Sequence, residues 1–292
     1  MSFRLTIPCN RSQGEKIAET DLFPNDENPP VLVADEPDPA RPEDWLIHAY
    51  FDHYPSPDEL SALSSLGSGP PQIEKLGEAD WVTMSQAGLQ PIRAGRFHVH
   101  TPTFPHDPER INFEIDAGLA FGTGQHATTA GCLEALDRLE REGARFTNIA
   151  DMGTGTGLLA FGALALWPDA RCIATDIDPI AVDVSRDNAA INGIKLGHAS
   201  GELLLNVADG MDSALLTARA PFDLITANIL AGPLIELAPD FAEALKPGGI
   251  IVLAGLLDTQ ADPVVTAYER CGLALRDHGP GEWPVLVCER VS

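Results

Sequence analysis

From residue 111 to the end, short apolar runs of strand length alternate with longer segments of helical period, and this feature constrains the fold most. The alternation is typical of a parallel sheet covered by helices, the α/β class. Residues 279–281 (Gly-Pro-Gly) separate the last two runs and predict a closing antiparallel hairpin. We predict strands at 146–150, 171–175, 203–207, 222–227, 250–254, 273–278 and 283–290, and helices at 128–142, 157–166, 180–192 and 234–245.

A glycine-rich turn follows the first of these strands. The strand ends at Asp151, and Gly153, Gly155 and Gly157 lie between it and the next helix. Glycine permits a positive φ and a close ligand approach, and the helix points its free N–H groups and positive dipole end into the same space. Asp176 ends the following strand, where a carboxylate can accept hydrogen bonds from both hydroxyls of a ribose. Together the two elements predict an adenosine-binding site.

Two classes of ligand share this architecture. Dinucleotide-binding folds carry G-x-G-x-x-G, whose third glycine would fall at Leu158. The sequence has G-T-G-T-G instead, which resembles the first motif of S-adenosylmethionine-dependent methyltransferases. Those enzymes have a Rossmann-like seven-stranded sheet whose last strand runs antiparallel, and the predicted hairpin matches it. We therefore expect S-adenosylmethionine as the cofactor, with a nicotinamide dinucleotide as the alternative.

Asn228 stands at the end of the fourth strand, at the edge of a parallel sheet where ligands bind. Related amino-group methyltransferases carry N-P-P-Y there, and the Asn carbonyl and the aromatic ring grip a planar amide or base nitrogen. Residues 228–231 read N-I-L-A, which lacks a ring to stack on a base. The tetrapeptide argues against nucleobase or glutamine substrates and favours an sp³ amine. The alternative is that Asn228 is only a turn residue at a strand end.

A further glycine-rich segment, D-A-G-L-A-F-G-T-G-Q-H-A-T-T at residues 116–129, precedes a helix. It resembles the hallmark loop of the bacterial ribosomal protein L11 methyltransferases, the PrmA family. D-M-G-T-G-T-G-L-L-A-F-G-A, the segment around Asp176 and A-N-I-L-A-G-P-L resemble that family in the same order, so the similarity covers residues 81–292. Ala117 and Ala127 stand where the family usually has Pro, so the rigidity of the loop differs.

The resemblance implies an activity and a site. The activity is transfer of methyl groups to lysine ε-amines, and to an N-terminal α-amine, of a free large-subunit ribosomal protein. Asn228 would face the methyl group as the candidate catalytic residue, and no metal ion is expected. The other implied cofactor contacts are Gly124, Thr128 and Thr129 on the methionine side, Gly153 and Gly155 in the turn, Asp176 at the ribose and Asp209 at the adenine amine. The alternatives are a methyltransferase of another protein or a small molecule, and a non-catalytic regulatory module that binds S-adenosylmethionine.

Residues 1–80 have a different composition, with five basic and 16 acidic residues that contribute −11 to the total net charge of −24. Short apolar pieces at 3–7, 13–20, 31–34, 45–51, 57–66 and 72–76 predict a small α+β domain of the split βαβ, ferredoxin-like kind. Its acidity would attract a basic protein and repel nucleic acid and acidic membranes, or would serve solubility alone. We predict a substrate-recognition domain at 1–80, a connector at 81–110 and an S-adenosylmethionine-dependent methyltransferase domain at 111–292.

The lack of a targeting signal and of a membrane-spanning run gives the default expectation of a cytoplasmic protein. The first residues lack the apolar stretch of a signal peptide, and the sequence has no apolar run of about 18 residues. The five cysteines are scattered and form no C-x-x-C pair, so the sequence predicts neither a disulfide framework nor a zinc site.

Overall fold

The computed structural model describes residues 2–15, 30–35, 37, 41, 43–51, 53–76, 91–115 and 125–291. The chain divides into two compact units, Met1–Gly88 and Leu89–Ser292. Gly124, one of the predicted cofactor contacts, lies outside the described residues. The predicted domain limits at residues 80 and 110 stay predictions.

The first unit contains a four-stranded antiparallel sheet in the order β2-β3-β1-β4. Its elements follow one another as strand, helix, strand, strand, helix, strand, which together with this order is the ferredoxin-like arrangement. The predicted fold of this unit is therefore confirmed. The elements are β1 (Ser2–Cys9), α1 (Arg11–Glu15), β2 (Val31–Asp35), β3 (Trp45–Phe51), α2 (Pro57–Ser64) and β4 (Gln72–Leu76).

The first unit has a core of its own between the sheet and α2. Alternate residues of the two central strands are fully buried: Leu5 and Ile7 in β1, and Ile47 and Ala49 in β3. Leu63 of α2 joins the same apolar cluster. Because successive side chains of a strand point to opposite faces, this spacing places one face of the sheet against the helix.

The second unit is built on a seven-stranded sheet in the order β10-β9-β8-β11-β12-β14-β13. Strand β14 is antiparallel to both of its neighbours, and the pairs formed by β8 to β12 are parallel. This is the Rossmann-like sheet that the sequence predicts. The strands are β8 (Asn148–Met152), β9 (Arg171–Asp176), β10 (Leu203–Val207), β11 (Phe222–Asn228), β12 (Leu245–Ala254), β13 (Leu273–His278) and β14 (Leu286–Arg290).

Helices cover both faces of this sheet, because its parallel strands are apolar on both sides. Ile149 and Leu224 belong to one buried cluster, whereas their chain neighbours Ala150 and Ile225 belong to the other. In the part of the chain that the structure describes, no helix combines the length and apolar character needed to cross a membrane. The helices are α3 (Gln125–Arg141), α4 (Leu158–Leu166), α5 (Pro179–Ile191), α6 (Ala214–Arg219), α7 (Ala231–Glu236), α8 (Ala238–Ala244) and α9 (Ala261–Arg270).

The predicted single helix at 234–245 is wrong, because the structure has α7 and α8 there, followed directly by β12. Leu237 is the C-cap residue of α7, and its N–H donates to the carbonyl of Pro233 at 2.9 Å. Pro239 stands in the first turn of α8. A proline lacks the N–H donor of a continuous helix and its ring clashes with the carbonyl four residues earlier, so the helix breaks here.

A small three-stranded sheet precedes α3 and is formed by β5 (Ile92–Ala94), β6 (Phe97–His100) and β7 (Ile111–Glu114). Arg96, in the turn between β5 and β6, bonds to the buried Asp137 of α3 and, at 2.7 Å, to Glu140. These ion pairs join the small sheet to α3, the helix that carries two predicted cofactor contacts.

Candidate functional site

The predicted site residues gather at the carboxyl ends of the central strands. Strand β8 lies between β9 and β11, so the strand order reverses there. In open α/β sheets, ligands bind in the crevice at such a switch point. Asp176 ends β9 and Asn228 ends β11, the two strands that flank β8. At about 4.8 Å between neighbouring strands, these two strand ends stand roughly 10 Å apart.

The glycine turn after β8 has the backbone conformation that its sequence predicts. Gly153 and Gly155 have φ values of +70° and +55°, in the region that side chains disfavour. A Cβ on Gly153 would lie 2.2 Å from Cγ2 of Ile229, so a larger residue does not fit. A Cβ on Gly155 would meet no atom within 4 Å. The turn therefore borders open space at Gly155, where a ligand can approach the backbone.

Asp176 is held by the glycine turn and by its own loop. Its Oδ2 accepts a hydrogen bond from the N–H of Gly155 at 2.9 Å, and its Oδ1 accepts one from the N–H of Asp178 at 3.1 Å. Each carboxylate oxygen has a second lone pair available for a hydroxyl group. This geometry suits a cis-diol such as that of a ribose.

Exposed aliphatic side chains lie beside Asp176, and the sequence analysis missed them. Ile177 and Ile180 are 65% and 69% exposed, and Val207 at the end of β10 is also exposed. The N–H of Ala208 donates to the backbone carbonyl of Asp176 at 2.9 Å, which joins the ends of β9 and β10. An apolar surface here can receive the flat face of a base. One signal in the sequence could have indicated this surface. Ile177 directly follows the strand-ending Asp176, at a position where a polar loop residue is expected.

Asp209 follows Ala208 and is exposed. It forms an isolated bridge with Asp212, whose N–H donates to the Asp209 carbonyl at 3.0 Å. This short turn puts Asp209 beyond the end of β10, on the same side of β8 as Asp176. The placement is compatible with the predicted contact to an adenine amine.

Asp151 joins the glycine turn to β11 from inside the protein. The hydroxyls of Thr154 in the turn and Thr226 in β11 each donate to its carboxylate at 2.6 Å. Thr226 lies two residues before Asn228, so the buried carboxyl of Asp151 connects the glycine turn with the strand that ends at Asn228. Burial raises the pKa of Asp151, although the two hydroxyl donors oppose that shift.

The raised pKa of Asp151 leads to a pH-dependent stability. A carboxyl whose folded pKa is raised contributes stability that is complete below its unfolded pKa of about 3.9 and is lost as pH rises through the folded value. Asp151→Asn keeps the shape but removes the titration. We expect the free energy of unfolding of the wild type to fall relative to that of the variant as pH rises from about 4. Urea titrations at several pH values measure this difference, and parallel pH profiles would contradict the prediction.

Asn228 and Thr129 meet at the other side of β8. The Asn228 Nδ2 donates to the hydroxyl of Thr129 at 3.4 Å, and Thr129 is the fifth residue of α3. This leaves the Asn228 Oδ1 as a hydrogen-bond acceptor. Thr128 is buried. The structure thus brings one of the two predicted threonines, Thr129, to Asn228.

One face of α5 holds the glycine turn, which the sequence analysis also missed. The Ser185 hydroxyl donates to the carbonyl of Gly155 at 2.8 Å, and the Asn188 Nδ2 donates to the carbonyl of Thr156 at 3.1 Å. Both side chains are buried. They fix the carbonyls of two consecutive residues of the turn, Gly155 and Thr156.

Asn192, one turn after Asn188, bonds to the backbone of β7. Its Oδ1 accepts from the N–H of Glu114 at 2.9 Å, and its Nδ2 donates to the Glu114 carbonyl at 2.7 Å. Asn192 therefore pairs with β7 as a neighbouring strand would. Its helix thus connects the glycine turn with the strand that precedes residues 116–124.

The described part of the chain offers no group of three or more His, Cys, Asp or Glu side chains that could hold a metal ion. Its arrangement offers instead a diol acceptor at Asp176, an apolar surface at Ile177 and a neutral amide oxygen at Asn228. These groups can bind a nucleoside and orient a small polar group next to it.

Comparisons with known proteins agree on one family. The family model described as "Ribosomal protein L11 methyltransferase (PrmA)" matches residues 11–290. The ribosomal protein L11 methyltransferase of Rhizobium etli is 41% identical over 280 residues, which are 91% of this chain and 90% of that protein. The protein of the same name from Brucella abortus (strain S19) is 48% identical over 213 residues, 71% of each chain. The crystal structure of ribosomal protein L11 methylase from Lactobacillus delbrueckii subsp. bulgaricus is 26% identical, with a TM-score of 0.59, and covers 70% of this chain and 100% of that chain.

Proposed function

Because this chain belongs to the PrmA family of ribosomal protein L11 methyltransferases, we propose that it methylates lysine ε-amines, and an N-terminal α-amine, of ribosomal protein L11. S-adenosylmethionine is the methyl donor of this family. One observation carries the proposal: the diol acceptor Asp176 and the amide of Asn228 end the two strands that flank β8. This pair supports binding of a nucleoside and of an acceptor amine in one crevice.

The residues around the turn fit S-adenosylmethionine. Open space at Gly155 admits a ligand next to the backbone, Asp176 can receive the ribose hydroxyls, and Ile177 offers an apolar surface to the adenine. Thr128 and Gly124 remain proposed contacts to its methionine side. When bound, S-adenosylmethionine supplies a methyl group that is activated by its positively charged sulfur.

The protein's own contribution to the reaction is the orientation of the acceptor amine. A lysine with a pKa near 10.4 is almost wholly protonated at neutral pH, so the amine must lose a proton before it reacts. The Asn228 Oδ1 can accept a hydrogen bond from the neutral amine, because Nδ2 is directed to Thr129. Alignment of this kind can lower a barrier by several kcal/mol. The aliphatic residues Ile229 and Leu230 after Asn228 favour an amine over a base that needs stacking.

The charge of the chain supports a basic protein as the acceptor. Residues 1–80 carry a net charge of −11, which attracts a cationic protein and repels nucleic acid. We propose that the acceptor is free ribosomal protein in the cytoplasm, because ribosomal RNA would repel this surface.

A direct assay tests the function. The purified chain is incubated with isolated ribosomal protein L11 and S-adenosylmethionine, and the modified residues are mapped by mass spectrometry. We expect added methyl groups on lysine side chains, with another basic protein of similar size as the negative control. Cofactor binding without methylation of any protein or small amine would favour the non-catalytic module instead.

Asp176→Ala should weaken S-adenosylmethionine binding by roughly 2–3 kcal/mol, because two ribose hydroxyls lose a charged acceptor. The exposed Asp209→Ala should have a smaller effect, since a solvated contact contributes less. Isothermal calorimetry measures both affinities. An unchanged affinity in Asp176→Ala would remove this residue from the proposed site.

Asn188→Ala should raise the dissociation constant of S-adenosylmethionine about tenfold, because the Thr156 carbonyl loses its buried donor and the turn loosens. The matched control is Asn148→Ala, which removes a buried amide at the amino end of β8, away from the site. The control should lower the unfolding temperature but leave cofactor affinity unchanged. Equal affinities in the two variants would mean that Asn188 serves only packing.

A further inference from the structure

Leu230 is the feature of the site that neither the cofactor nor the fold explains. Its side chain is 73% exposed, more than any other large hydrophobic residue of the described chain. It lies two residues after Asn228, in the loop between β11 and α7. Burial of such a side chain against an apolar partner is favourable, so its exposure leaves apolar surface available to a ligand.

Leu230 also occupies a position where another residue type would stabilise the fold. It is the N-cap residue of α7, with an extended backbone, and it makes no side-chain hydrogen bond to the helix. Ser, Thr, Asp and Asn are strongly preferred at an N-cap because their oxygen accepts from the free N–H groups of the first turn. Leu230 thus departs from two local preferences: large apolar side chains are usually buried, and N-cap residues usually carry a hydrogen-bond acceptor. Such departures are typical of functional positions.

The backbone beneath Leu230 is held in place. The N–H of Ile229 donates to the carbonyl of Ala254 at 3.1 Å, and the Ile229 side chain packs over Gly153. On the other side, Ala231 is buried at the start of α7. Leu230 is therefore an exposed side chain on a fixed backbone. A Cβ on Gly232, two residues after Leu230, would meet no atom within 4 Å, so the first turn of α7 borders open space at that residue.

We propose that Leu230 binds the methylene stem of the acceptor lysine and so favours lysine ε-amines over shorter amines, without being needed for an N-terminal α-amine. This inference rests on the proposed function. A lysine carries a flexible apolar stem with a polar head, and such stems lie along apolar surfaces. When the amine is bound at Asn228, we expect the methylene stem to lie along Leu230, two positions later in the chain. An aliphatic side chain suits this stem, whereas a planar amide or base would need a ring.

The test compares Leu230→Ser with Leu230→Met in the full-length enzyme. Serine supplies the missing N-cap oxygen. The unfolding temperature of Leu230→Ser should therefore be equal to or higher than that of the wild type. Its KM for ribosomal protein L11 should nevertheless rise about tenfold, because the stem loses its apolar contact. Leu230→Met keeps an apolar side chain and should restore a KM close to that of the wild type. The affinity for S-adenosylmethionine should be the same in all three proteins.

Leu196→Ser is the matched control, since Leu196 is an exposed leucine next to the amino end of β10. It should leave the KM for L11 unchanged. A wild-type KM in Leu230→Ser, or a KM that rises equally in Leu230→Met, would overturn the inference while lysine methylation by the wild type upholds the proposed function. Absence of lysine methylation by the wild type would reject both.

Discussion

Replacement of Asn228 by alanine should lower the turnover number about 100-fold, with only a small change in the affinity for S-adenosylmethionine. The variant removes the amide oxygen that we propose as the hydrogen-bond acceptor for the amine, and it removes the donor to Thr129. The proposed cofactor contacts at Asp176, on the other side of β8, and in the glycine turn that follows β8 are unchanged in this variant. Single-turnover methylation and calorimetry on the same preparation separate the two quantities.

Thr129→Val is the variant to compare with Asn228→Ala. It keeps the shape of the side chain but removes the hydroxyl that receives the Asn228 Nδ2. Asn228 then loses its orientation but keeps its amide, so turnover should fall less than in Asn228→Ala. Equal losses of turnover and cofactor affinity in Asn228→Ala would make Asn228 a cofactor residue and would contradict its role with the amine.

Much of the site could be predicted from the sequence because parallel strands end at a common edge. Asp151, Asp176 and Asn228 each terminate an apolar run, and each one lies at the carboxyl end of its strand in the structure. The glycine turn could be predicted for the same reason, since its residue type is dictated by backbone conformation. The predicted Rossmann-like sheet and the predicted family are both confirmed.

The unpredicted part depends on contacts between distant residues. The bond between Asp151 and Thr226 joins residues 75 positions apart, and the one between Asn192 and Glu114 joins residues 78 apart. The polar side chains of α5 resemble an ordinary solvated face in the sequence. Only the packing of α5 against the turn shows that Asn188 is buried. The spacing of apolar residues predicts which face of a helix is buried. It does not predict which polar residues of that helix form hydrogen bonds with backbone groups.

Removal of residues 1–88 should leave a folded unit that binds S-adenosylmethionine but methylates intact ribosomal protein L11 at least about 100-fold more slowly. The second unit has two apolar clusters of its own, and all described site residues lie within it. Compact units with separate cores usually fold independently. The first unit likewise has its own core and a concentrated negative charge, so its loss removes the proposed means of holding a basic protein. Methylation of L11 by the truncated protein at the full-length rate in low salt would contradict this role.

Charge neutralisation tests the same role in the full-length chain. Glu43 and Asp58 are exposed acids of the first unit, and Asp262 and Glu282 are exposed acids of the second. Glu43→Gln with Asp58→Asn should raise the KM for L11 and reduce its dependence on salt, because screening acts on exposed charges over about 8–10 Å. Asp262→Asn with Glu282→Gln changes the net charge equally and should alter the KM less. If both double variants raise the KM by the same factor, the long-range charge of the whole chain attracts the substrate, and the first unit has no special electrostatic part in recognition.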